Sequence, residues 1–87
     1  MATPLKVSIV SAAEEVWAGE ASIVSARTQI GEIGILAGHE PVLGILAPGT
    51  VRVTTMDGER IEVAAEDGFL SVEHNTVTVV ARQAALV

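Results

Sequence analysis

Apolar and polar residues alternate along most of this chain with a period of two. Leu5, Val7 and Ile9 fall on one face of a segment whose other face carries Lys6 and Ser8. Val51-Arg52-Val53-Thr54, Arg60-Ile61-Glu62-Val63 and Asn75-Thr76-Val77-Thr78-Val79 repeat the pattern. Such alternation predicts strands with one wet and one buried face. Thirteen Val, seven Ile and seven Thr make nearly a third of the chain β-branched, which favours a pleated sheet over a helix. Turn signals punctuate the strands. Gly19-Glu20 is read as dividing a strand around Val16-Trp17 from one around Ser22–Ser25. Asp57-Gly58 closes a hairpin between strands near 50–55 and 60–65; Glu66-Asp67-Gly68 leads into Phe69–Glu73, and His74-Asn75 into Thr76–Arg82. Short strands at this spacing predict an all-β fold of about eight to ten strands, an antiparallel sandwich or barrel.

The Asp57-Gly58 hairpin permits a register argument. A strict two-residue turn would pair Val53 with Glu62 and set a buried valine beside a carboxylate. Pairing Met56 with Arg60 instead matches Val53 with Val63 and Thr54 with Glu62. The reading is therefore a three-residue connection or a bulge, with Gly58 at positive φ. The Ala-rich tail, Ala81–Val87, is the one segment that reads as helical, and it is too short for a stable isolated helix.

Composition narrows the function. Residues 1–87 form one domain with no linker or repeat. No apolar run reaches the ~20 residues needed to cross a bilayer, and no secretory or transit signal is seen at the amino terminus. The chain has no cysteine, which removes disulfides and thiolate metal sites. Eleven acids against five Lys and Arg give a net charge of −6, and Trp17 and Phe69 are the only aromatic residues. Both features argue against nucleic-acid binding.

Residues 31–49, GEIGILAGHEPVLGILAPG, hold five glycines and two prolines but no Lys or Arg. A phosphate loop needs a following Lys and a hydroxyl residue, and a dinucleotide fingerprint needs a helix behind the glycines. Neither is present, so the glycines read as turns, bulges or close backbone approach. His39 and His74 lie in no short metal-ligand spacing. His39 with Glu40 makes a candidate interface polar pair. Ser11, Ser25 and Ser71 lack a neighbouring base, and no nucleophile elbow exists. Glu14-Glu15 reads as a solvated turn, and Glu62 and Glu66 as the wet face of a strand. No cofactor is expected. Ile33, Ile35 and Leu36 lie among glycines and read either as a contact patch or as filling for one end of a sandwich.

Several blocks then resemble a known family. Gly31-Glu32-Ile33-Gly34-Ile35-Leu36, Gly38-His39-Glu40-Pro41 and Leu46-Ala47-Pro48-Gly49-Thr50-Val51-Arg52-Val53 resemble the amino-terminal domain of the epsilon subunit of F-type ATP synthase. Val7–Ser11 with Val16–Glu20, and Gly68–Val72 with Asn75–Ala81, resemble its first and last strands. The resemblance covers essentially the whole chain in order. It implies a ten-stranded β-sandwich of two five-stranded sheets with no catalytic site. It also implies a rotor part that clamps the gamma subunit and seats it on the c-ring. The turn of Thr28, Gln29, Ile30, Gly31 and Glu32 would face the polar loops of the c-ring, while Ser11, His39 and Leu43 would lie toward gamma. Membrane association would come only through the complex, at the cytoplasmic face of a bacterial plasma membrane.

The sequence departs from the family in two places. The usual carboxy-terminal helical hairpin is not found before Val87, so ATP sensing and helix-mediated inhibition are not expected of this polypeptide. Asp67 stands where a second glycine is common, which is expected to alter one turn. The alternative reading is a free-standing β-sandwich adaptor. An enzyme would need a deep polar pocket around His39 or His74.

Overall fold

The computed structural model describes residues 3–87. Seven strands are formed: β1 (Leu5–Ser11), β2 (Glu15–Thr28), β3 (Gly31–Leu36), β4 (Val42–Ile45), β5 (Gly49–Thr55), β6 (Arg60–Glu73) and β7 (Thr76–Leu86). They form one hydrogen-bonded sheet in the order β1-β7-β6-β5-β2-β3, with β4 on β6 and a further β1–β2 pairing. All neighbours are antiparallel except β1 and β7.

Three strands serve twice, and this folds the sheet into two layers. The first half of β2 pairs with β1, and its second half with β5 and β3. The start of β6 pairs with β5, and its end with β4. β7 pairs with β1 as far as Ala81 and continues alone along β6 to Leu86. Counted by neighbours, layer one runs β2–β1–β7–β6–β4 and layer two runs β3–β2–β5–β6–β7. This is the expected pair of five-stranded sheets, built from fewer and longer strands.

The long strands correct three expectations. Gly19-Glu20 does not divide β2, since Gly19 pairs with Val7 and Glu20 with Lys6. The bend in β2 comes later, at a register shift between Ala21 and Ile23. Glu66-Asp67-Gly68 is not a turn but a bend inside β6, made by Asp67 at a φ of 55°. The tail is not helical: Ala84, Ala85 and Leu86 pair with Ala65, Ala64 and Val63. Non-local pairing overrides the weak helical preference of alanine there.

The hairpin at Asp57-Gly58 has the three-residue connection the register argument requires. Thr55 N donates to Glu59 O at 2.8 Å, and Gly58 has a φ of 87°. The pairing is two residues away from the one derived. Val53 lies opposite Ile61, Val51 opposite Val63, and Arg52 opposite Glu62. A two-residue slip leaves every side chain on its original face, so alternation could not tell these registers apart.

Period-two burial built the core. Leu5, Val7 and Ile9 of β1, Val77 and Val79 of β7, and Leu70 and Val72 of β6 face inward from layer one. Val24, Ile35, Val51, Val53 and Val63 meet them from layer two. No buried side-chain nitrogen or oxygen is left without a partner among the described residues.

Candidate functional site

The 31–49 stretch is β3, a turn, β4 and the approach to β5. Gly31 and Gly38 have φ of 128° and 86°, a region that other residues rarely adopt, so each sits where the chain must turn. The three apolar residues there part company: Ile35 is buried, Ile33 is half-buried and Leu36 is exposed. Both readings of that cluster hold for different members.

The turn from Thr28 to Glu32 is held from inside. Thr28 is buried, and its hydroxyl donates to Gly31 O at 2.7 Å while accepting from Ile30 N at 3.3 Å. Gln29 N donates to Ile45 O at 3.0 Å and Ala47 N donates to Arg27 O at 2.9 Å, which ties the hairpin tip against β4. These bonds leave the Ile30 side chain in water, at 99% exposure. Between tip and strand lies a shallow cavity of about 200 Å³, lined by Thr28, Ile30, Ile33, Val42, Leu43 and Gly44, with Glu32 as its one charged residue.

Leu43 therefore lines the same recess as Thr28, Ile30, Gly31 and Glu32. His39 lies four residues before it. Its Nδ1 is 2.8 Å from Glu40 O, so the anticipated His39–Glu40 pair is a backbone tie and not a carboxylate contact. Gly38 N donates to Asn75 Oδ1 at 2.7 Å, which fixes this turn beside the β6–β7 connection. Ser11 is at the other end of β1. Its hydroxyl accepts from Ala13 N and Glu14 N and donates to Glu14 O, closing the β1–β2 turn. β6 and β7 separate β4 from β1, so Leu43 and β1 are three strand spacings apart, about 14 Å. Ser11, Leu43 and His39 are not one cluster.

The outer face of layer one, which sequence reasoning missed, includes Leu43 but not Ser11, which lies opposite buried Ala81. Ile45 pairs with Phe69, Phe69 with Val80, and Val80 with Val10, an apolar row across four strands. Beside it run Leu43, Ser71, Thr78, Ser8 and Ala18, small or apolar and uncharged. Each strand had shown its outward residues in the alternation, but only the register puts them in one row. Charge appears only at the margins of these two rows, with Glu15 opposite Val10 and Glu73, Lys6 and Glu20 in the next row. The outer face of layer two is charged through its middle. It carries Arg27, Arg52, Arg60, Glu32 and Glu62, with Arg52 Nε 3.6 Å from Glu62 Oε1.

The surface offers little for chemistry. None of the five main cavities is lined by His39 or His74. Among the described residues no three His, Asp or Glu side chains gather in a way that could hold a metal ion. Glu14, Glu62 and Glu66 are exposed.

Comparison with known proteins fits this arrangement. Residues 4–87 match the family model for the ATP synthase delta/epsilon chain, β-sandwich domain. The chain is 50% identical over 84 residues to the ATP synthase epsilon chain of Frankia casuarinae, covering 95% of this chain and 98% of that one. It is 51% identical over 81 residues to the epsilon chain of Rhodococcus erythropolis, covering 92% of this chain and 66% of that one. Among solved structures, a chain of the Euglena gracilis mitochondrial ATP synthase OSCP/F1/c-ring assembly superposes with a TM-score of 0.89 at 26% identity. That superposition covers 95% of this chain and 53% of the Euglena chain.

Proposed function

The chain belongs to the ATP synthase delta/epsilon chain β-sandwich family, and from that premise we propose that it couples the gamma subunit to the c-ring in the rotor of a proton-driven ATP synthase. It performs no bond chemistry in this role. It is a rigid adaptor that transmits torque and holds two partners in a fixed relation. The complex holds it at the membrane surface, on the cytoplasmic side in a bacterium.

The observation that carries the reading is the contrast between the two outer faces. In a chain of net charge −6, the middle of layer one presents two uncharged rows, one of them apolar from Ile45 to Val10, with Glu15, Lys6, Glu20 and Glu73 only at the margins. Charge-poor cores with polar rims characterise protein–protein interfaces. Gamma lies across this face, between His39 at one end and Ser11 at the other. The Thr28–Glu32 turn meets the c-ring. Torque transfer asks for a stiff body, and a sandwich whose long strands belong to both layers supplies one.

The test is binding of the purified chain to gamma, and to gamma assembled on a c-ring, compared with a variant carrying Val10→Lys and Val80→Glu. The reading expects the native chain to bind both and the variant to lose gamma while remaining folded. Binding of gamma unaffected by two charges in the middle of that face contradicts it. The free-standing adaptor reading is favoured if an unrelated partner is captured and gamma never is.

A further inference from the structure

We propose that the chain seats on the c-ring through an apolar knob and an apolar recess, Ile30 and the cleft beside Leu43, and not chiefly through the charge of Glu32. The proposal rests on the reading that the Thr28–Glu32 turn faces the ring, and it names the chemistry of that contact. It also gives a ring contact to Leu43, which stands where the recess meets the margin of the gamma face.

Three observations carry it. Ile30 is 99% exposed and Leu43 is 72% exposed, the first at a hairpin tip and the second on the adjoining free strand. Large aliphatic groups held in water side by side mark a contact surface. The tip is also rigid before any partner arrives. Thr28 is buried with its hydroxyl bonded to both Gly31 O and Ile30 N, and Gln29 N is bonded to Ile45 O. A preorganised loop loses little conformational freedom on binding. The recess, finally, is shaped to receive something. Its floor is Gly44, where a Cβ would stand 3.3 Å from Thr28 Cγ2, so any larger residue there would crowd the Thr28 anchor and fill the cleft. The volume of about 200 Å³ has room for one branched aliphatic side chain.

Charge complementarity selects the occupant. Glu32 is the single charged residue lining the recess, and among the described residues it makes no ion pair, although Arg27 is opposite it in the register. The complement of this surface is a loop carrying an aliphatic side chain with a cation next to it. A ring repeats such a loop once per subunit, so the same knob and recess fit successive copies. The aliphatic contact supplies affinity, and the Glu32 contact orients it.

The test measures equilibrium binding of labelled chain to purified c-ring alone and to purified gamma alone, for Ile30→Ser, Leu43→Ser, Gly44→Val and Glu32→Gln. Losing a buried aliphatic side chain should weaken ring binding about ten- to a hundredfold. Ile30→Ser and Leu43→Ser should each do so, Gly44→Val likewise by filling the cleft, while Glu32→Gln weakens it less than about fivefold. Gamma binding should be unchanged by Ile30→Ser, Gly44→Val and Glu32→Gln, and raising salt severalfold should alter ring binding little, since apolar contact is not screened. Thermal unfolding of Ile30→Ser should match the native chain, because that side chain touches little in the free protein. If Glu32→Gln releases the ring while Ile30→Ser and Leu43→Ser do not, the inference is overturned and the turn still faces the ring through its charge. If none of the four changes ring binding, the turn does not face the ring at all. If Leu43→Ser loosens gamma and not the ring, Leu43 belongs to the gamma surface and the recess is not the seat.

Discussion

Gly68 is where β6 leaves layer two for layer one, and it is the position at which one methyl group should cost most. Its backbone lies against β7 so closely that a Cβ would overlap the Val80 carbonyl oxygen and stand 2.5 Å from Ala81 Cα. Ordinary carbon contacts begin near ~3.5 Å, so in Gly68→Ala the two strands must part by about 1 Å. A hydrogen bond near 2.9 Å does not survive that movement. The Gly68–Ala81 and Phe69–Val80 pairs would open, and with them two or three ladder bonds at roughly 0.5–1.5 kcal/mol each. Leu70 and Val79, both fully buried beside the bend, would lose part of their packing. The total is about 2–4 kcal/mol. For a domain of this size, each kcal/mol moves the melting temperature by about 4–8 °C, so the variant should melt roughly 8–30 °C lower. Circular dichroism during a thermal ramp reads this directly. Gly34→Ala is the control, because a Cβ there meets nothing within 4 Å. It should change stability by less than about 0.5 kcal/mol, or raise it slightly by restricting the unfolded chain. Equal melting temperatures for the two alanine variants would refute the close-approach argument.

Other substitutions test other links. Leu70→Ala removes a fully buried side chain and should cost about 2–4 kcal/mol in urea unfolding with an unchanged m-value. Asp67→Val puts a β-branched residue at a φ of 55° and should cost about 1–2 kcal/mol, whereas Asp67→Asn should be nearly neutral. Glu62→Gln breaks the Arg52–Glu62 pair, whose side chains are 67% and 46% exposed, and should move stability by less than about 0.5 kcal/mol at any salt concentration.

The sequence made the inward faces legible because alternation writes them residue by residue. Leu5, Val7 and Ile9 were assigned together and are buried together. What alternation does not carry is continuity and register. Gly19-Glu20 and Asp67-Gly68 have the composition of turns, yet each lies inside a fourteen-residue strand. Whether such a pair turns the chain back or merely bends it depends on distant partners: Val7 and Lys6 for the first, Ala81 for the second. The hairpin register was wrong by two residues because that slip is invisible to any argument from faces. The tail was misread because alanine is a good helix former alone, and its partner strand is some twenty residues back.

The outward apolar row was legible only in fragments. Ile30, Leu43 and Ile45 stood in the sequence as apolar residues among glycines. Phe69, Val80 and Val10 stood in three other strands with no sign that they share a row. The two uncharged rows are a property of register and so could not be read from spacing. The motif resemblance picked out the 28–32 turn and His39, and the structure adds the recess that brings Leu43 to the turn. The glycine-rich stretch is thus a tied hairpin tip and an edge strand that offer apolar groups outward.

The most direct test of the rotor-coupling account is a pull-down in which the tagged chain is offered purified gamma and purified c-ring, separately and together. The account predicts binding to gamma, weaker binding to the ring alone, and a stable assembly of all three that is tighter than either pair. A chain that captures neither, or that binds gamma and the ring only in competition with each other, contradicts it.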